Sequence, residues 1–161
     1  MAKYTVTNGS SASAGTQQNI TTTYVSGVIG LTGANASPRR NKIYDIMVGA
    51  NGTPSDSPVE WDLSRITANS TSTTVAPPPL DAADAAATTI ATINSSQAGT
   101  ISVPNMWYVG INERASYRWV AAPGSELVAP ATSSAGFQLR ARSATSPYAS
   151  TVTATILFEE Q

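Results

Sequence analysis

The sequence predicts an all-β protein: an antiparallel two-sheet sandwich, a jelly roll by expectation, with an extended N-terminal arm. Three observations carry this. Short runs of β-branched and aromatic residues recur between clusters of Gly, Pro, Asn, Asp and Ser. Apolar and polar side chains alternate along most of these runs. Only Asp81 to Ala87, DAADAAA, has helical character, and it is too short to stand alone. About eight to ten short strands in one domain lead to packed antiparallel layers.

In chain order, Lys3 to Thr7 (KYTVT) reads as a strand and Asn8 to Thr16 as a Gly/Ser/Ala linker without apolar periodicity. Ile20 to Leu31 (ITTTYVSGVIGL) reads as an irregular strand kinked around Gly27 and Gly30, and Thr32 to Pro38 as turn. Residues 1–38 are therefore expected to be an arm adding an edge strand to the sandwich domain of residues 39–161. From Arg39 the character changes. Ile43 to Val48 (IYDIMV) is a nearly continuous apolar run, as in a strand covered on both faces. Val59 to Ile66 (VEWDLSRI) alternates, with Val59, Trp61 and Leu63 inward and Glu60, Asp62 and Ser64 towards water, and is expected to pair with the strand before it.

Asn69 to Thr74 extends a sheet edge, and Pro77 to Pro79 fix an extended piece that donates no backbone hydrogen bonds. Thr89 to Ile93 and Thr100 to Val103 are weak strands. Met106 to Pro130 holds two of the three tryptophans and reads as a hairpin at the centre of the core, its arms carrying Trp107, Val109 and Ile111 against Tyr117 and Trp119. Asn112 to Arg114 supply its polar link, Ala122 to Gly124 its exit turn, and Leu127 to Val128 a further short strand. Gly136 to Arg142 and Ser150 to Phe158 are half-buried strands.

Composition excludes much chemistry. With no cysteine and no histidine, disulfides, thiolate zinc sites, Ser-His-Asp nucleophiles and histidine bases are all ruled out. Charged residues are 12% and the net charge is −1, which offers no field for nucleic acid or anionic lipid. No cofactor is expected. The first residues lack the apolar run of a signal peptide, and no stretch approaches the roughly 20 apolar residues of a membrane span. Assembly in a cytoplasm follows as the expectation.

Among ten carboxylates, Glu60 and Asp62 share one strand face and are the pair a two-carboxylate glycosidase would use; Asp81 and Asp84 share a loop. Acids on the wet face of a strand more often serve solubility. Asn51 to Asp56 carries too few charged oxygens for calcium. Trp61, Trp107 and Trp119 fall in phase with aliphatic neighbours, as core residues do. Arg39, Arg40 and Lys42 form the one basic cluster, either a solvated strand entry or an anchor to an acidic protein surface.

Two segments carry a resemblance. The first holds Arg40, Ile43, Tyr44, Asp45, Ile46, Val48 and Gly49, then Thr53, Pro54 and Asp56, in the pattern R-x-K/R-IYDI-x-VG followed by T-P-x-D. The second holds Arg118, Trp119, Val120, Ala121, Ala122, Pro123, Gly124, Glu126, Leu127, Val128 and Pro130, in the pattern RWVAAPG-x-E-L-V-x-P. Together they resemble a type of small protein found in tailed bacteriophages. The resemblance implies a non-enzymatic virion component, a capsid decoration or cement protein. Such proteins are compact β-domains, often jelly rolls, that sit on the outer capsid as homotrimers and bridge capsomers of the major capsid protein. In that reading residues 8–38 and Arg39, Arg40 and Lys42 contact the capsid, and removing residues 1–38 leaves a folded domain. The alternative is a phage tail or receptor-binding sandwich that holds host glycans.

Overall fold

The computed structural model describes residues 1–9, 18–20, 27–50, 55–144 and 150–161. Its strands are β1 (Lys3–Thr7), β2 (Gln18–Ile20), β3 (Gly27–Thr32), β4 (Asn41–Ala50), β5 (Pro58–Ala68), β6 (Thr73–Val75), β7 (Ile90–Ser95), β8 (Thr100–Asn112), β9 (Tyr117–Val120), β10 (Leu127–Val128), β11 (Gly136–Ser143) and β12 (Ser150–Glu160). They form two sheets, and every strand pairing is antiparallel. Sheet A runs β1-β12-β4-β10, with β2 also on β12 and β9 also on β4; sheet B runs β6-β7-β3-β11-β5-β8. The expected all-β, two-sheet sandwich is what the chain forms. No described segment is helical, and Asp81 to Asp84 is a turn.

The core lies between the sheets. Alternation on β12 turns Val152, Ala154, Ile156 and Phe158 inward, and β1 adds Tyr4 and Val6, with the Tyr4 and Phe158 rings stacked at 5.5 Å. Sheet B answers with Ile29, Leu31, Val59, Trp61, Leu63, Phe137 and Leu139, all buried. Close backbone approach fixes Gly136, where a Cβ would collide with the Leu31 carbonyl.

Several expectations are corrected. The IYDIMV run is not covered evenly on both faces. Ile43 pairs with Phe158 and Asp45 with Leu157, so Tyr44 is the extra residue of a bulge, and Ile43 and Ile46 both point inward although three positions separate them. Beyond the bulge Met47 stands 41% exposed. Nor do β4 and β5 pair, since they lie in opposite sheets.

The residues expected to be an arm are part of both sheets. β1 borders β12, and β3, all of it buried, lies inside sheet B between β7 and β11. Gly27 and Gly30 are not kinks in a loose segment; they make room for neighbours. A Cβ at Gly30 would stand 2.5 Å from the Thr92 hydroxyl and 2.8 Å from the Asn69 side chain. Removing residues 1–38 would therefore take out an interior strand. Of the linker, Asn8 to Thr16, residues 10–16 lie outside the described residues, as do residues 21–26 of the expected kinked strand, whereas Asn8 is buried and bonds the β12 backbone.

The expected hairpin is not one. β8 pairs with β5 in sheet B, whereas β9 pairs with β4 in sheet A. Local alternation and a short polar link suit a crossing between sheets as well as a hairpin. What decides is Glu113: its buried carboxylate accepts the Ser55 amide at 2.7 Å and hydroxyl at 2.8 Å, and its own amide donates to the Ser57 carbonyl at 2.9 Å. The link is thus held against residues 55–57. Trp107 and Trp119 end half-buried at an edge, and the largest fully buried side chain is Trp61.

Candidate functional site

The two segments that carry the resemblance are distant in sequence and joined in space. β9 lies on β4 with Ile46 opposite Trp119 and Met47 opposite Arg118; β10 lies on the same side of β4, with Leu127 opposite Ile43. Between them the chain turns through Pro123 and Gly124, the glycine at φ 85°, as the Ala-Pro-Gly sequence predicts. Arg118 forks onto Asp45, Nε donating to Oδ1 at 3.0 Å and Nη2 to Oδ2 at 2.5 Å. These bonds raise the Arg118 pKa further above its ordinary value. Lys42 Nζ stands 3.3 Å from Glu126 Oε1. The Glu126 carboxyl is held below its usual range first by its own backbone amide and then by Lys42. The Ala129 amide donates to the Asn41 carbonyl at 2.9 Å, and Arg65 reaches from sheet B to the Val128 carbonyl at 3.0 Å. Asp45 with Arg118 and Lys42 with Glu126 are therefore spent on one another, as a clip fastening β9 and β10 to β4.

This divides the basic cluster. Lys42 belongs to the clip, half-buried and paired. Arg39 and Arg40 are exposed just before β4, where the Arg40 backbone exchanges hydrogen bonds with Gln161 at 3.1 and 3.0 Å. Only these two present cations outward from the cluster.

The outer face of sheet B holds the carboxylates singled out as a glycosidase pair. Cross-strand register places Glu60 opposite Arg142, Asp62 opposite Arg140 and Ser64 opposite Gln138. Asp62 is fully buried. It receives Arg140 through Nε at 2.8 Å and through Nη2, the Ser64 hydroxyl at 2.7 Å and the Asn105 amide at 2.9 Å. Glu60 pairs with Arg142. The wet face expected of β5 is in fact a roofed polar layer: Asn69 bonds Thr92 at 2.7 Å, Gln138 bonds Ser70, and the Gly99 amide bonds Gln138 at 2.8 Å. Both acids are committed to arginine. A signal for this was present in the sequence, since Glu-Trp-Asp on one strand and Arg-Ala-Arg on another are complementary when read in opposite directions.

Elsewhere, Asp81 accepts the Ala83 amide at 2.9 Å and the Asp84 amide closes on the Asp81 carbonyl at 3.0 Å, so this acid organises a turn. Asp56 pairs with Arg114 at 2.8 Å; the rest of the considered calcium loop, residues 51–54, lies outside the described residues. No group of three metal-ligating side chains occurs among the described residues. An open groove of about 310 Å³ lies on the outer face of sheet A, lined among others by Met47, Gly49, Tyr117, Arg118 and Thr153. Its polar lining is the hydroxyl side chains of Ser116, Tyr117, Thr153 and Thr155 and an arginine already bound to Asp45. Comparison with known proteins finds no matching family, no matching curated protein and no matching solved structure.

Proposed function

We propose that the chain is a non-enzymatic structural protein of a tailed-phage virion, a decoration protein that seats on the outer capsid and holds capsomers of the major capsid protein together. The observation that carries the reading is strand order. Leaving aside the inserted β6 and β7, β1-β12-β4 with β9 and β10 faces β3-β11-β5-β8. We read this as the paired Greek keys of a jelly roll, with the pair β6 and β7 added beyond β3. It is the architecture that the resemblance implies. The clip agrees with it, because Asp45, Arg118, Lys42 and Glu126, committed to fastening strands, describe a scaffold and not a reaction centre.

The mechanism is linkage: a protein that binds only the assembled shell stabilises it by mass action, each copy adding contact across a seam. Arg39 and Arg40 are the contact we assign, as exposed guanidinium groups able to take carboxylates of a capsid surface two-pronged. Lys42 contributes by holding β10. Electron cryomicroscopy of the particle that carries the chain tests the reading. Density over capsomer junctions supports it; density on the tail, or a particle without the chain, overturns it. The double variant Arg39→Ala, Arg40→Ala is expected to lose occupancy on shells while melting as the parent does. The glycan-binding alternative draws on half-exposed Trp107, Tyr117 and Trp119, and predicts a change in tryptophan fluorescence on adding host glycans; the decoration reading predicts none.

A further inference from the structure

Gly49 lies within β4, two residues from Met47 and opposite Thr153 of β12, on the outer face of sheet A. Glycine weakens a strand, so its presence there asks for a reason. The packing of the chain supplies none. Its backbone is outside the left-handed region, and an added Cβ would meet only the Ser116 Cβ among the described residues, at an ordinary 3.7 Å. Gly27, Gly30 and Gly136 differ, since a Cβ at each would collide with a neighbour. What the missing side chain leaves open is the floor of the groove of about 310 Å³ on sheet A. A bare glycine in a strand lets a ligand approach the backbone closely.

The lining says which ligand fits. Half-exposed Met47 and Tyr117 give it apolar surface. Thr153 and Thr155 present hydroxyls from β12 and Ser116 adds a third, and none of the three is bonded among the described residues. Arg118 completes the set. Its Nε and Nη2 donate to Asp45 at 3.0 Å and 2.5 Å, which leaves Nη1 of a side chain 60% exposed and already fixed in direction. Asp45 balances its charge, so the groove offers hydrogen bonds without a net charge.

We propose that this groove binds the pyranose ring of a neutral glycan, its C–H face on Met47 and Tyr117 and its hydroxyls on Ser116, Thr153, Thr155 and Nη1 of Arg118. A sugar ring has this division of surface, an apolar face with a rim of groups that both donate and accept. A wholly apolar ligand would strand the hydroxyls. An anion would find its counter-charge already paired. The volume stands at the lower end of the range for small-molecule sites, which suits one or two rings. The groove lies about 30 Å along β4 from Arg40, so a chain seated through Arg39 and Arg40 keeps it open. The proposal stands whether or not the chain decorates a capsid.

The chain has three methionines and only Met47 lines the groove, so methyl-labelled methionine reads the site by nuclear magnetic resonance. Methyl glycosides of glucose, galactose, mannose and N-acetylglucosamine are titrated into the whole chain to about 50 mM, well above the millimolar dissociation constant expected of so open a site. At least one is expected to shift the Met47 methyl saturably and leave Met1 and Met106 in place. Gly49→Leu fills the floor where there is room for a side chain, and is expected to weaken binding by about tenfold or more while melting as the parent does. Thr153→Val, which removes one hydroxyl, is expected to weaken it by about threefold to tenfold. Arg39→Ala, Arg40→Ala is expected to leave the titration unchanged, which separates this site from the capsid contact. No saturable Met47 shift with any of the four glycosides would overturn the proposal. So would a shift that Gly49→Leu leaves unchanged, or an equal one with cyclohexanol, which would mark a merely apolar groove.

Discussion

The edge strands β1 and β8 are treated in opposite ways. At one, the chain between β6 and β7 crosses over β1. The Thr5 amide donates to the Pro78 carbonyl at 3.2 Å, the Leu80 amide donates to the Lys3 carbonyl at 2.8 Å, and the Tyr4 hydroxyl reaches the Ala85 carbonyl at 3.1 Å. Thr89 then ties the strap down through the Glu160 carboxylate at 2.6 Å and the Asn41 side chain at 2.6 Å. Three prolines sit where a strand edge would otherwise be available, and the outermost strand of sheet B, β6, spans only three residues. At the other edge β8 is 13 residues long, and its aromatic side chains are half in water. The difference is one of covering: one edge is already satisfied by its own chain, and the other is satisfied by nothing described.

The contrast is sharpest in side chains of similar size. Tyr4, 3% exposed at the strapped edge, stacks on Phe158. Tyr4→Ala leaves a cavity that the strap cannot follow, and is expected to cost about 3–5 kcal/mol, as for other buried aromatics. Tyr108→Ser at the bare edge gives up hydrogen bonds to Glu60 and Arg142 near solvent, and is expected to cost about 1 kcal/mol or less in the monomer. Urea unfolding of the two variants at a concentration below association measures both. Comparable losses would mean that the edges are not distinct.

The outer face of β5 repeats the contrast within one strand. Asp62→Ala strands Arg140 beneath the roof of residues 99–105, and about 3–5 kcal/mol is expected, the usual result of breaking one side of a buried pair. Glu60→Ala, nearer solvent, is expected to cost about 1 kcal/mol or less. Replacing Asp62 and Arg140 together by apolar residues of similar volume should recover most of the loss, since the pair's burial penalty goes with it. If the double variant is as unstable as the single one, the layer matters for its hydrogen bonds to Ser64 and Asn105 more than for its charge.

Legibility in the sequence followed the range of the interaction. β1, β10 and β12 could be read directly, because period-two alternation is a local property, and Pro123-Gly124 specified its turn; β11, expected half-buried, is buried on both faces because Gln138 and Arg140 join the polar layer. Pairing could not be read locally. VEWDLSRI and MWYVGIN look equally like core strands, and only position in the sheet separates Trp61, with a strand on either side, from Trp107, with one. The sequence of residues 1–38 reads as an arm because glycine in a strand reads as weakness. Gly27 and Gly30 are small because the Gln138, Asn69 and Thr92 side chains lie over them. Of the candidate site, the membership of Asp45, Arg118 and Glu126 in one pattern was visible, but not that the pattern closes on itself. That closure needs the bulge at Tyr44, which turns Asp45 outward to meet Arg118.

The smallest effect concerns how β10 is held near the bare edge. Glu126 has its carboxyl pKa lowered from an ordinary 4.5, by its own amide first and by Lys42 after that. A carboxyl lowered on folding binds its proton more readily in the unfolded chain, so it contributes stability that is present above about pH 4.5 and is lost as pH falls through the folded value. Glu126→Gln should therefore melt slightly below the parent at pH 6 and level with it once both are well below that value. Arg118→Lys gives the companion result at pH 6, a lower melting temperature, because a lysine cannot fork onto Asp45. Melting curves of the three chains between pH 3 and 7 separate the two contributions. A Glu126→Gln deficit that persists at the acid end would assign β10's attachment to the Ala129 amide and the Arg65 bond to Val128, with the ion pair a bystander.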